Sequence, residues 1–351
     1  MKTEVRVVDE ANIDREIIER AGSILKAGGL VAFPTETVYG LGGDALNRES
    51  SKKIYAAKGR PSDNPLIVHI ADMESLAPIV ESIPETAEKL AEKYWPGPLT
   101  IILKKSERVP AETTGGLDTV AVRMPKHQTA LALIRAAGGY VAAPSANTSG
   151  KPSPTLAQFV KEDMDGRIDM IIDGGQACIG VESTIVDLTG ETPMILRPGY
   201  ITKEMLQDTL KMPVALDRTM LRENSKEAPK APGMKYRHYA PKGQLTIITG
   251  EEKKVIAAIN ERAEKMHRRG QKVGVIGTKE TVALYRADSV KCAGSRREET
   301  TVAKELYRIL REFDDENVTM IYSEAFENTG IGQAVMNRLL KAAGHRIERI
   351  D

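Results

Sequence analysis

A chain of 351 residues with 41% hydrophobic and 28% charged residues has the make-up of a folded globular protein, which excludes a disordered or fibrous chain. Its formal net charge of +1 gives no global field for collecting nucleic acid. The two cysteines, Cys178 and Cys292, are too few and too far apart for a disulfide framework or a cysteine-rich zinc module, and they fit a reducing compartment.

Length alone predicts two domains. From the N-terminus, Ile13, Ile17, Ile18, Ala21, Ile24 and Leu25 recur at helical spacing, and Gly28-Gly29 ends that helix. A buried strand follows at residues 30–33. Further strands are predicted at 66–70, 99–103, 119–124, 140–143, 170–172, 183–188 and 194–196. Helices are predicted near 50–58, 73–82, 85–94, 127–137 and 155–164. Some strands succeed one another without a helix between them, which points to a mixed sheet in a first domain over residues 1–211. Residues 212–242 have proline, glycine and charge without periodicity, and read as a linker. Residues 243–351 alternate strands at 245–249, 273–276, 289–292 and 318–322 with helices near 251–269, 297–313 and 331–343. They are predicted to form a small Rossmann-like α/β domain with a parallel sheet. The three segments carry −5, +4 and +2 formal charges. A basic linker is either solvated or folded over something anionic. The N-terminal residues are charged throughout, and no apolar run reaches the roughly 20 residues of a membrane span, so a cytoplasmic location is expected.

The chemistry-bearing segments sit at strand ends. Pro34-Thr-Glu-Thr-Val-Tyr-Gly-Leu-Gly42 follows the first buried strand, and in isolation it is also readable as a turn with capping threonines. Lys58-Gly-Arg-Pro-Ser-Asp-Asn-Pro-Leu66 places two cations around one glycine, a pattern suited to phosphate, although no Walker loop occurs anywhere in the chain. Thr119 and Arg123 share one face of an apolar strand, where an arginine needs a partner. Ala142-Ala-Pro-Ser145-Ala-Asn147-Thr-Ser-Gly150 offers backbone amides and small hydroxyls. Ser183-Thr-Ile-Val-Asp-Leu188 and Leu196-Arg197-Pro-Gly199 add a hydroxyl pair and another cation. Together these segments predict one converging, anion-collecting site. Val273-Gly-Val-Ile-Gly277 carries only part of a dinucleotide fingerprint, so no cofactor is assigned there.

In this order and spacing, PTETVYGLG, KGRPSDNPL, TVAVRMP, APSAN-SG, STIVD and LRPG resemble the YrdC-type threonylcarbamoyl-AMP synthases over roughly residues 10–205. Pro232-Gly-Met-Lys-Tyr-Arg-His238-Tyr-Ala-Pro241, followed by a small α/β unit, resembles that family's two-domain form. The resemblance implies a twisted mixed sheet enclosing a concave basic cavity. L-Threonine would be held by Thr37, His69, Arg123, the Ala143 backbone and Ser183. ATP would meet Lys58, Arg60, Asn64, Thr119, Ser145, Ser153, Arg197 and, from the linker, Arg237, with Lys58 and Arg60 stabilising charge during catalysis. It further implies bicarbonate as third substrate, Mg2+ accompanying ATP, no metal held by protein side chains, and a downstream threonylcarbamoyl transferase acting on tRNA. Direct tRNA binding stays open. His127, His267 and His345, in or beside helices, are read as non-catalytic, and Trp95 as packing at a helix end.

Two rivals stand beside this reading. A non-catalytic module for double-stranded RNA or tRNA draws little support from an aromatic content of 4% and a near-neutral charge. A carbamoyl-transfer protein of hydrogenase maturation would need cysteine-rich zinc modules.

Overall fold

The computed structural model describes residues 2–217, 231, 239–327 and 329–351. The chain divides into two compact units. The first comprises Met1–Ser149, Ser153–Cys178 and Glu182–Tyr236, and the second comprises Gly150–Pro152, Ile179–Val181 and Arg237–Asp351.

The first unit is built on an eleven-stranded mixed sheet. Its strands are β1 (Glu4–Val7), β2 (Val31–Phe33), β3 (Gly40–Asp44), β4 (Ile67–His69), β5 (Leu99–Lys104), β6 (Thr119–Arg123), β7 (Val141–Ala142), β8 (Met170–Asp173), β9 (Thr184–Asp187), β10 (Met194–Arg197) and β11 (Ala215–Leu216). Their spatial order is β1-β8-β2-β3-β7-β4-β6-β5-β9-β10-β11. β4 and β6 run parallel, while β5 and β6 and also β4 and β7 are antiparallel. The mixed sheet therefore agrees with the sequence reading. Two strands depart from it. β1 lies in a charged stretch, Glu-Val-Arg-Val, that lacks a buried pattern. β3 is Gly-Leu-Gly-Gly-Asp, which reads as a loop until its neighbours are known. A Cβ on Gly40 or Gly42 would meet the Phe33 ring at 3.2 and 3.0 Å, so glycine lets that ring lie across the face of β3, the strand paired with its own. At the other margin, Ala215 and Leu216 pair with Met194 and Ile195, so the start of the segment read as linker is part of the sheet.

Helices cover this sheet for ordinary reasons of patterning and capping. In α1 (Arg15–Lys26), the Asp14 carboxylate accepts from the Glu16 and Ile17 amides, and Ile18, Ala21 and Leu25 face the core. α2 (Arg48–Lys58) starts under the Asn47 side chain and ends at Gly59, whose φ of 61° closes the helix in the left-handed region. That ending sends Lys58 and Arg60 in different directions. α3 (Glu85–Tyr94) ends at Trp95, which is buried and donates from its indole to the Leu99 carbonyl at 2.7 Å.

The second unit holds a five-stranded sheet of β12 (Gln244–Gly250), β13 (Val273–Gly277), β14 (Ser289–Cys292), β15 (Met320–Glu324) and β16 (Ile347–Ile350), in the order β14-β13-β15-β12-β16. All its pairings are parallel, as the alternation of strands with α8 (Glu252–His267), α9 (Glu299–Asp315) and α10 (Gly330–Ala342) implies. After β12 the chain moves to one side of the sheet order, and after β15 to the other. The ends of these two neighbours therefore form a topological switch point. A cleft of about 190 Å³ opens there, lined among others by Thr249, Tyr285, Arg296 and Glu324. No helix among the described residues is long and apolar enough to cross a membrane.

Candidate active site

The loop between β2 and β3 is folded by its own threonines. Thr35 Oγ1 donates to the Val38 carbonyl at 2.7 Å and receives the Thr37 and Val38 amides at 3.2 and 3.3 Å. This turn buries Thr35, Glu36 and Thr37 almost completely. Thr37 Oγ1 accepts from Arg123 Nη1 at 2.9 Å, and Glu36 Oε2 lies 2.7 Å from Arg123 Nη2. Arg123, only 4% exposed on an apolar strand, thus has the partner its burial demands.

Strand register extends the site sideways. His69 lies opposite Arg123 across the β4–β6 pair, and Thr100 lies opposite Arg123 across the β5–β6 pair. Thr100 Oγ1 shares a 2.7 Å hydrogen bond with Ser183 Oγ. Ser183 in turn accepts from Arg197 through its hydroxyl at 3.1 Å and its carbonyl at 3.0 Å. His69, Arg123, Thr100, Ser183 and Arg197 therefore form a polar row across neighbouring strands. Burial, helped by the Arg123 charge, pushes the His69 pKa down to about 3. Its imidazole is neutral at ordinary pH and adds no second cation beside Arg123.

The remaining predicted residues lie at the end of α2 and in the segment after it, at the start of β6, and in and beyond the loop after β7. Lys58 Nζ donates to the Ser145 and Asn147 carbonyls at 2.5 and 2.6 Å, and Ser145 Oγ donates to Asn147 Oδ1 at 2.5 Å. Lys58 thus braces that loop. Arg60 does the same for its own segment, donating to the Asn64 and Pro65 carbonyls at 3.1 Å each. The Asn64 side chain is buried, and its Oδ1 has no hydrogen-bond partner among the described residues. Thr119 begins β6, at the opposite end from Arg123 and about 13 Å from it at the usual rise of a strand. The Ala143 amide is committed to the Ile67 carbonyl at 2.9 Å, which leaves the Ala143 carbonyl for other use. Ser153 Oγ donates to Glu182 Oε1 at 2.6 Å, just before Ser183. Arg237 lies outside the described residues. Tyr239 is buried in the second unit with its ring 5.1 Å from that of Tyr307.

Glu36, Thr100 and Glu182 belong to this constellation and were not singled out from sequence. An acid between two threonines reads as a solvated turn, and a threonine in Leu-Thr-Ile-Ile-Leu reads as a strand former. Among the described residues no cluster of three or more His, Cys, Asp or Glu side chains could hold a metal ion.

Two family models match the chain: "Telomere recombination" (Sua5, YciO and YrdC) over residues 23–199, and "Threonylcarbamoyl-AMP synthase, C-terminal domain" over residues 201–344. The chain belongs to the threonylcarbamoyl-AMP synthase family. Its Bacillus subtilis relative of that name is 49% identical over 99% of this chain and the whole of its own length. The Pyrococcus abyssi threonylcarbamoyl-AMP synthase is 50% identical over 95% of this chain and 96% of its own. The crystal structure of P. abyssi Sua5 complexed with L-threonine superposes with a TM-score of 0.94 at 47% identity, covering 99% of this chain and 100% of that one. The chain is therefore an enzyme that makes threonylcarbamoyl-AMP, a nucleotidyl transfer, and the RNA-binding module without catalysis is set aside.

Proposed function

We propose that this threonylcarbamoyl-AMP synthase binds L-threonine at the Thr37–His69–Arg123–Ser183 end of the polar row, with the Ala143 carbonyl as an added acceptor. MgATP lies toward Lys58, Arg60, Asn64, Thr119, Ser145, Ser153 and Arg197, with Arg237 as a further contact. The observation that supports this reading is the register that lines up Arg123 with His69 and with Thr100–Ser183, a cation and small hydroxyls of the kind that bind a compact amino acid. Arg123 suits the threonine carboxylate, and neutral His69 suits its hydroxyl. Magnesium belongs to this reading as part of the MgATP substrate.

The reaction then needs two bonds. The threonine nitrogen attacks the carbon of bicarbonate, giving a carbamate and water. A carbamate oxygen attacks the α-phosphorus, and pyrophosphate leaves. Lys58 and Arg60 contribute by fixing the loops that surround the phosphates and by stabilising negative charge. The product is a mixed anhydride, labile in water, so it is consumed by a threonylcarbamoyl transferase that modifies tRNA.

Pyrophosphate release decides the matter. With MgATP it should appear only when threonine and bicarbonate are both supplied, and mass spectrometry should find the adenylate. Equal release without threonine would refute the reading.

A further inference from the structure

We propose that Glu36 holds the ammonium group of threonine and takes the proton that the nitrogen must lose before it can attack. This rests on the placement of threonine given above. Glu36 is 4% exposed, with Oε2 at 2.7 Å from Arg123 Nη2. Neither carboxylate oxygen, however, receives a hydrogen bond from any described residue, and Arg123 Nη2 donates none. The contact is one of charge without an aligned N–H.

The neighbours do not fill the gap. Thr35 spends its hydroxyl on the Val38 carbonyl, Arg123 Nη1 donates to Thr37, and the Cys178 thiol is directed at the backbone carbonyl of Glu36 at 3.5 Å. An ionised carboxylate has about four acceptor positions, and burying them without donors is costly. A carboxylate retained only as counter-charge to Arg123 would gain most from in-line hydrogen bonds, because a buried ion pair stabilises only when its geometry is good. Buried groups left unsatisfied in this way call for a specific explanation, a catalytic role among them.

A zwitterionic amino acid supplies what is missing. Its carboxylate pairs with Arg123, and its ammonium brings N–H donors to Glu36. One proton passes from the ammonium to the Glu36 carboxylate, freeing the nitrogen lone pair. The nitrogen then bonds to the carbon of bicarbonate, the C–OH bond breaks, and the hydroxyl leaves as water with a second proton from the nitrogen. Glu36 ends protonated and returns its proton to solvent. The charged and titratable groups around it among the described residues are Arg123 on β6, the Cys178 thiol and His127, which precedes α5 (Gln128–Ala136). His127 Nδ1 is buried and lies 3.6 Å from the half-exposed Glu10 carboxylate, on the side toward solvent.

Calorimetry with L-threonine and with 3-hydroxybutanoate, which lacks the amino group, separates the roles. Glu36→Gln should weaken threonine by roughly 30-fold or more and leave 3-hydroxybutanoate bound at least as well as in the parent enzyme, whereas Arg123→Ala should weaken both. Equal weakening of both ligands by Glu36→Gln would show that Glu36 merely positions Arg123, and would overturn the proposal. Threonine binding indifferent to both substitutions would defeat the threonine placement itself, and this proposal with it. Glu36→Asp, which keeps a carboxylate, should retain the preference for threonine over the analogue, and its loss would count against the proposal. At saturating threonine, pyrophosphate release by Glu36→Gln should fall by about 100-fold or more and climb with pH as solvent takes over deprotonation. A parental rate and pH profile would eliminate Glu36 as the base.

Discussion

At the scale of single residues, the buried Glu36–Arg123 pair sets the energetics of the site. Arg123→Ala leaves a buried carboxylate without its counter-charge and should destabilise the fold by about 3–5 kcal/mol. Adding Glu36→Gln should recover part of that loss, and denaturant titrations of the two single variants and the double variant measure the coupling. The same arginine should cost threonine affinity roughly 30-fold or more when removed. His69 gives a second test, through pH. Above its ordinary value of 6.5 the ring is neutral whether the chain is folded or unfolded. Below 6.5 the unfolded chain binds a proton that the folded chain refuses until about 3, so stability is lost as pH falls through that window. The slope is at most about 1.4 kcal/mol per pH unit, and His69→Asn should flatten it in urea titrations between pH 6 and 4. Arg123 stands out in the sequence because a charge on an apolar strand needs a partner, whereas Ser183 is singled out through the family motif. Glu36 does not stand out, since nothing in Pro-Thr-Glu-Thr says that the turn is buried. Its burial comes from the Thr35 hydroxyl folding the chain inward, which is tertiary information.

At the scale of elements, periodicity served where strands are apolar and failed where packing decides. β4, β5 and β6 were readable as runs of Ile, Val and Leu, and the parallel sheet of the second unit as strict alternation with helices. β3 was unreadable because glycine is a poor strand former, and its reason for being there is the Phe33 ring on β2. Gly42→Val should therefore act as overpacking, although valine itself favours strands. A loss of about 1–3 kcal/mol is expected in thermal or urea unfolding, and an unchanged midpoint would show that the Phe33 ring can move aside without cost. α7 (Lys203–Leu210) also escaped the sequence reading, although the Thr202 side chain caps it by accepting from the Met205 amide. Its eight residues follow closely on Arg-Pro-Gly, where turn signals dominated.

At the scale of the whole molecule, two compact units were expected from length and composition, while the sheet continues to Leu216 in a stretch that composition marked as linker. Arg237, drawn from the family motif, carries the prediction that belongs here. Arg237→Ala should raise the ATP concentration needed for half-maximal rate more than that of threonine, which initial-rate kinetics at fixed second substrate would measure. The sheet has a further implication, for the order in which the chain can be completed as it is made. β1 is an edge strand and pairs with β8, with Glu4 beside Met170 and Val7 beside Asp173. Its partner emerges only after some 165 intervening residues have been synthesised, about 8–33 s at ordinary rates of translation. During that interval β2 also lacks one of its two neighbours, because β8 lies between β1 and β2. The glycine-rich β3 and the turn that carries Glu36 and Thr37 are therefore made long before β8, and the sheet edge beside the loop proposed to hold threonine stays open until that strand follows.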